Sequence, residues 1–211
     1  MKKLTIILLL LLALLPDATA ATLTPRQKQE VITKLNKSTT AMKSMQCGFT
    51  QTKYLSLLSD KMVSKGHMYY QQPHKLRWEY SSPYQYTFIL NGTEVYVRNK
   101  SKKDVINTNN NKLFKEVARI MLRTVTGKAL SDAADFSIDV SDGGSLWKVI
   151  LIPRKKDLKR MFSKIILSFR KSDSIISEID MYEKNNDRTN IILKDVTANG
   201  KINESLFVIP K

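Results

Sequence analysis

Two hydrophobic periods divide this chain. Thr24-Pro25-Arg26-Gln27 opens the first, with threonine as cap, proline at the first helical position and glutamine three residues after the cap. Val31, Leu35, Met42 and Met45 then recur at helical spacing, which predicts an amphipathic helix over 25–45. From Gly48 the period becomes two. Phe49, Gln51 and Lys53 share one face of a strand, and Thr50, Thr52 and Tyr54 the other. A strand over 62–71 carries Met68 and Tyr70 and stops at Pro73; Leu76, Trp78 and Tyr80 alternate in the next, which stops at Pro83. Tyr84, Tyr86, Phe88 and Leu90 alternate in a fourth, and Asn91-Gly92 turns it into a return strand over 94–98.

After the asparagine-rich stretch 107–111, helical spacing returns. Phe114, Val117, Met121 and Val125 share a face of a second helix over 112–126, with Gly127 as its stop. Strands then resume at 136–140, 147–152, 162–169, 175–182, 189–193 and 206–209, with Gly143-Gly144 and Asn185-Asn186-Asp187 as turns. Internal repeats and low-complexity linkers are absent. The fold class is mainly β with α: an incomplete antiparallel β-barrel, or half-barrel, covered by amphipathic helices. A sheet of about ten twisted strands curls, and the helices would lie across its concave face. Such a half-barrel is either filled by its own side chains or holds a ligand, and periodicity leaves both open.

The N-terminus changes the picture of location. Met1-Lys2-Lys3 precedes an apolar run over 4–15, Pro16-Asp17 breaks it, and Ala18-Thr19-Ala20 is an A-x-A site. Residues 1–20 therefore read as a cleaved signal peptide and 21–211 as a single exported, periplasmic domain. The apolar run is shorter than the roughly 20 residues a spanning helix needs. One cysteine, Cys47, excludes an internal disulfide framework and reads as a small buried hydrophobe. The formal charge of +16 would suggest nucleic acid in a cytosolic protein, but an exported chain without an aromatic–arginine recognition motif argues against it. The densest basic cluster is Arg154-Lys155-Lys156 with Lys159-Arg160. It is either a solvated surface or an attraction for anionic headgroups or an acidic partner.

Catalytic chemistry finds little support. His67 and His74 are the two histidines, no G-x-S-x-G motif accompanies them, and no metal-ligand cluster or cofactor motif is present. The expectation is a non-enzyme without metal or cofactor. What stands out is residues 65–97, dense in tyrosine and tryptophan, which join a large apolar surface to a polar tip.

These residues also carry a resemblance. FTQ at 49–51, Gly66, the P-x-K-L-R-W-x-Y-x-x-P run at 73–83 and I-x-N-G-x-x-V-Y-V at 89–97 resemble the LolA family, the periplasmic outer-membrane lipoprotein carriers of Gram-negative bacteria. ILIPRKKD at 150–157, LSFRK at 167–171, the segment 176–193 and INESLFVIP at 202–210 follow the family's order. The resemblance implies a carrier that binds lipoprotein acyl chains in an apolar cavity and moves them from the inner to the outer membrane. It implies an inner-membrane release complex and an outer-membrane acceptor as partners, and a monomeric protein. Phe49, Met68, Tyr70, Leu76, Trp78, Phe88 and Leu90 are the expected cavity residues of the sheet, and Phe114, Val117 and Met121 those of the lid helix. One departure is visible: the family's lid-latching arginine is replaced by Gln72. The alternatives are a carrier of another lipid or amphiphile, or a lipid- or lipoprotein-sensing module on the same fold.

Overall fold

A computed structural model describes residues 22–57, 60–100, 103–107, 122–123, 126, 130 and 134–210. Among these residues the chain forms one open antiparallel sheet of eleven strands. They are β1 (Ser44–Leu55), β2 (Asp60–Gln71), β3 (Lys75–Ser82), β4 (Tyr86–Asn91), β5 (Glu94–Arg98), β6 (Lys103–Asn107), β7 (Phe136–Gly143), β8 (Leu146–Pro153), β9 (Phe162–Arg170), β10 (Ile176–Glu183) and β11 (Arg188–Ala198). The spatial order is 6-5-4-3-2-1-11-10-9-8-7, so two meanders are joined where β1 pairs with β11, and β6 and β7 are the free edges. The expected half-barrel is thus present as a large unclosed sheet.

Helix α1 (Pro25–Ala41) has the predicted capping box, with Thr24 Oγ1 accepting from Gln27 N. It ends earlier than its periodicity suggested. Met42 is already extended, and Met45 belongs to β1, where it pairs with Tyr70 and Ala198. A methionine at helical spacing is equally at home on a strand's buried face, which is why the boundary was misplaced. Val31 and Leu35 of α1 enter the core. The helix also spans the open sheet. Lys28 Nζ donates to Asp139 Oδ1 on β7 at 2.6 Å, while Gln72, just past β2, donates from Nε2 to Met42 O at 2.6 Å and Thr40 O at 3.3 Å. One end of α1 is therefore tied to each meander.

Several other boundaries differ from expectation. The fourth strand begins at Tyr86 rather than Tyr84. Asn91 pairs with Glu94, so the two-residue turn is Gly92-Thr93, and Gly92 alone of these takes a positive φ, +62°. Strand β6 was not foreseen: a short edge strand with Val105 half exposed has no buried face to impose a period. The basic cluster, where no element was predicted, contains a short helix α2 (Lys156–Met161), of which Leu158 alone is buried. The last predicted strand is instead a 3-10 turn, Glu204–Phe207, started by Asn203 accepting from Ser205 N. It crosses the convex face of β3 and β4, held by Arg77 and Asn91 side chains donating to Leu206 O and Phe207 O, both at 3.2 Å.

The predicted lid residues Phe114, Val117 and Met121 lie outside the described residues, as does the signal peptide. Of that segment, Leu122 and Arg123 are helical, and Thr126 N donates to Leu122 O at 3.0 Å.

Candidate functional site

Cross-strand register arranges the concave wall in rows. Met45, Tyr70, Leu76, Leu90 and Val95 form one row across β1 to β5. Cys47, Met68, Trp78, Phe88 and Val97 form the next, and Phe49, Gly66, Tyr80 and Tyr86 the third. Partners in an antiparallel ladder point to the same side. All seven sheet residues named from sequence therefore share one face, and each is under 5 % exposed. The opposite wall continues the face with Leu193, Ile191, Ile179, Leu167 and Val149, all buried.

Gly66 has a steric reason. A Cβ there would stand 1.9 Å from Glu79 O and 2.7 Å from the Phe49 ring, so the ring lies over bare backbone across β2. Phe49 continues into an aromatic group: its centroid is 4.5 Å from that of Trp78 and 5.2 Å from that of Tyr80, the latter edge-on. Tyr86 and Tyr84 extend the group at 5.9 and 6.1 Å from Tyr80. Sequence periodicity placed the rings on one face; it could not show that a glycine makes room for one of them.

Polarity changes along this wall. The rows ending in Met45 and Cys47 are apolar, whereas beyond Phe49 the wall presents Gln51, Ser64 and the tyrosine tips. Tyr80 Oη donates to Gln51 Oε1 at 2.9 Å. Burial raises the Tyr80 phenol to about 12, against smaller opposing effects of Trp78 and Gln51, and burial raises Tyr86 as well. Trp78 Nε1 is buried and has no hydrogen-bond partner among the described residues, although it interacts with the neighbouring Tyr80 hydroxyl. Burying a donor without a partner costs about 1–3 kcal/mol. Cys47 lies on the same face, and burial pushes its thiol up to about 12, so it is no nucleophile near neutral pH.

The remaining candidates are placed elsewhere. Gln72, at the latch position, holds the C-terminal end of α1, as described above. Arg77 points to the convex side, where Nε donates to Glu79 Oε2 at 2.8 Å. His67 is on the convex face opposite Gly48 and Glu79, and His74 lies in the turn before β3. Among the described residues no group of three or more His, Cys, Asp or Glu could hold a metal ion, and no helix is long and apolar enough to cross a membrane.

A family model described as outer membrane lipoprotein carrier protein LolA matches residues 40–210. Outer-membrane lipoprotein carrier proteins of Pseudomonas syringae pv. tomato and pv. syringae are each 26 % identical to this chain over 148 residues, 69 % of it and 68 % of the relative. An uncharacterised conserved protein of Thermus thermophilus has a similar fold, with a TM-score of 0.52 at 10 % identity over 87 % of this chain and 94 % of that one. A LolA superfamily protein of Nitrosomonas europaea has a TM-score of 0.45 at 8 % identity, covering 86 % of this chain and 97 % of that one.

Proposed function

Since the chain belongs to the outer membrane lipoprotein carrier family LolA, we propose that it is a periplasmic carrier, not an enzyme, whose concave wall holds the acyl chains of lipoproteins between the inner and outer membranes. Residues 21–211 would be the exported domain, and the leader its export signal. The observation that carries this reading is the single buried face shared by Phe49, Met68, Tyr70, Leu76, Trp78, Phe88 and Leu90.

The physics of the task suits that wall. Each methylene exposed to water costs about 0.8 kcal/mol, so a free acyl chain cannot cross an aqueous space at a useful rate. A carrier must replace water by contact and then release without bond chemistry. The apolar rows at Met45 and Cys47 would take the chain ends. Gln51 and Tyr80 would lie nearer the polar head, and Trp78 Nε1, on the side of the Cys47 row that borders Tyr80, would gain an acceptor. Phe114, Val117 and Met121 would close over the cargo from the lid helix. Gln72 supports a division of labour in which α1 stays anchored and the lid moves without the family's arginine.

Purified protein should release acylated lipoproteins from inner-membrane vesicles supplied with the release complex, and hand them to outer-membrane acceptor. A folded protein that leaves every lipoprotein in the vesicles would contradict the lipoprotein cargo and favour another amphiphile.

A further inference from the structure

One end of the sheet joins exposed apolar side chains to a concentration of cations. Three segments meet there through hydrogen bonds. Ser56 N donates to Asp187 Oδ1 at 2.9 Å and Ser56 Oγ to Asn185 O at 2.9 Å, tying the β1–β2 hairpin to the β10–β11 turn. Lys184 N donates to Met161 O at 3.1 Å, tying that turn to the end of α2. Leu57, beside Ser56 in the hairpin, is 93 % exposed, and Met161 is 41 % exposed. Lys156, Lys159 and Arg160 stand on the exposed surface of α2.

A row of side chains crosses the convex face behind this end. Lys164, Tyr182, Arg188, Tyr54 and Lys61 are successive cross-strand partners over β9, β10, β11, β1 and β2. Cation and ring alternate: Lys164 Nζ is 4.3 Å from the Tyr182 centroid, and the Arg188 guanidinium is 5.5 Å from both Tyr182 and Tyr54. Residues 53–61, 154–164 and 182–188 together hold ten lysines and arginines against four acids. Some of these charges pair locally, Lys53 with Glu183 and Asp187, Arg160 with Asp157 and Arg188 with Asp180, but the cations still outnumber the acids. At the other end of the sheet Lys75 pairs with Glu204, Lys171 with Asp142 and Arg170 with Asp173.

We infer that this end docks on an anionic phospholipid bilayer, with Leu57 and Met161 entering the headgroup region and Lys156, Lys159 and Arg160 pairing with lipid phosphates. Tyrosine beside lysine and arginine suits the boundary between water and acyl chains, and the cations supply the charge complementarity. An acidic protein would use the cations, but it gives no reason to hold a leucine in water. The polar end of the concave wall, at Gln51 and Tyr80, faces the same end of the strands, so docking would bring the cavity's polar end to the membrane. The inference concerns the surface and stands whatever the cargo is.

The test is flotation of residues 21–211 with vesicles of phosphatidylethanolamine and phosphatidylglycerol, against phosphatidylcholine alone. Binding to the anionic vesicles should fall roughly tenfold in Leu57→Asp and in the double change Lys156→Glu, Lys159→Glu, and should weaken with salt. All these side chains are exposed, and binding of a fluorescent acyl probe should stay at the wild-type level in both variants. Equal flotation by variants and wild type, or equal binding to neutral vesicles, would overturn the inference. So would binding to an acidic protein that depends on the cations and is indifferent to Leu57. Loss of acyl-probe binding in the wild type would instead count against the carrier reading and leave this surface standing.

Discussion

The two meanders of the sheet bury their concave faces with different chemistry. The first, through β2 to β5 with β1 beside it, uses rings and thioethers: Phe49, Met68, Tyr70, Trp78, Tyr80 and Phe88. The second, β7 to β11, uses mostly branched aliphatics, among them Val140, Val149, Ile165, Leu167, Ile179 and Ile191, with Phe136, Phe169 and the partly buried Trp147 among its rings. Branched side chains have few rotamers and interlock into a fixed core. The ring-lined half contains a buried indole N–H without a partner among the described residues and a methionine that can repack. Under the proposed function, the aliphatic half stays filled by itself and the ring-lined half exchanges what it touches. Helix α1 bridges them, through Gln72 on one side and Asp139 on the other.

The largest effect should come from Gly66→Ala. The new Cβ would collide with Glu79 O and the Phe49 ring, costing about 3 kcal/mol or more and lowering Tm by about 6–12 °C. Gly143→Ala in the second meander would meet mainly the flexible Lys148 side chain, at 3.1 Å, and should stay within about 1 kcal/mol. Comparable melting losses would remove the special fit at Gly66.

Truncation should separate the halves next. Leu167→Ala in the aliphatic half should cost about 2–5 kcal/mol and leave acyl-probe affinity nearly unchanged. Leu90→Ala in the ring-lined half should sit at the low end of that range and weaken the probe by several-fold. Denaturant titration and probe binding on both variants check this; the reverse assignment would invert the comparison.

The two anchors of α1 are smaller. Gln72→Ala removes the amide that bonds the last carbonyls of α1 and should cost about 1 kcal/mol in denaturant unfolding. Asp139→Asn should cost only a few tenths of a kcal/mol, because the Lys28 pair is solvent-exposed. Lys28 holds the Asp139 carboxyl below its ordinary value. A depressed carboxylate pKa contributes stability above the unfolded value, about 3.9, and loses it as pH falls through the folded one. The wild-type advantage over Asp139→Asn should therefore be present at pH 7 and vanish in acid; an advantage that persists at low pH would point to packing instead.

Much of this was legible in the sequence. Strands with one buried face, such as Leu76-Arg77-Trp78-Glu79-Tyr80, print their period directly, and the same alternation put the seven candidate wall residues together. Where burial does not discriminate, the pattern fell silent: β6 is an exposed edge, and α2 has a single buried leucine. The final segment misled because its Phe207 is buried on the convex face by side chains donating to its backbone, not by a strand ladder. The role of Gln72 could not be read either, since its partners lie 30 and 32 residues earlier in the chain.

Site-specific photo-crosslinking at two adjacent positions of β11 tests the acyl-binding wall most directly. Leu193 faces the concave side in register with Phe49 and is 5 % exposed; Ile192 faces outward in register with Thr50 and is 43 % exposed. With a photoreactive residue at each in turn, illumination of cargo-loaded protein should join acylated lipoprotein to position 193 and not to position 192. Adducts at 192 alone, or at neither while cargo still co-purifies, would place the acyl chains somewhere other than the concave wall.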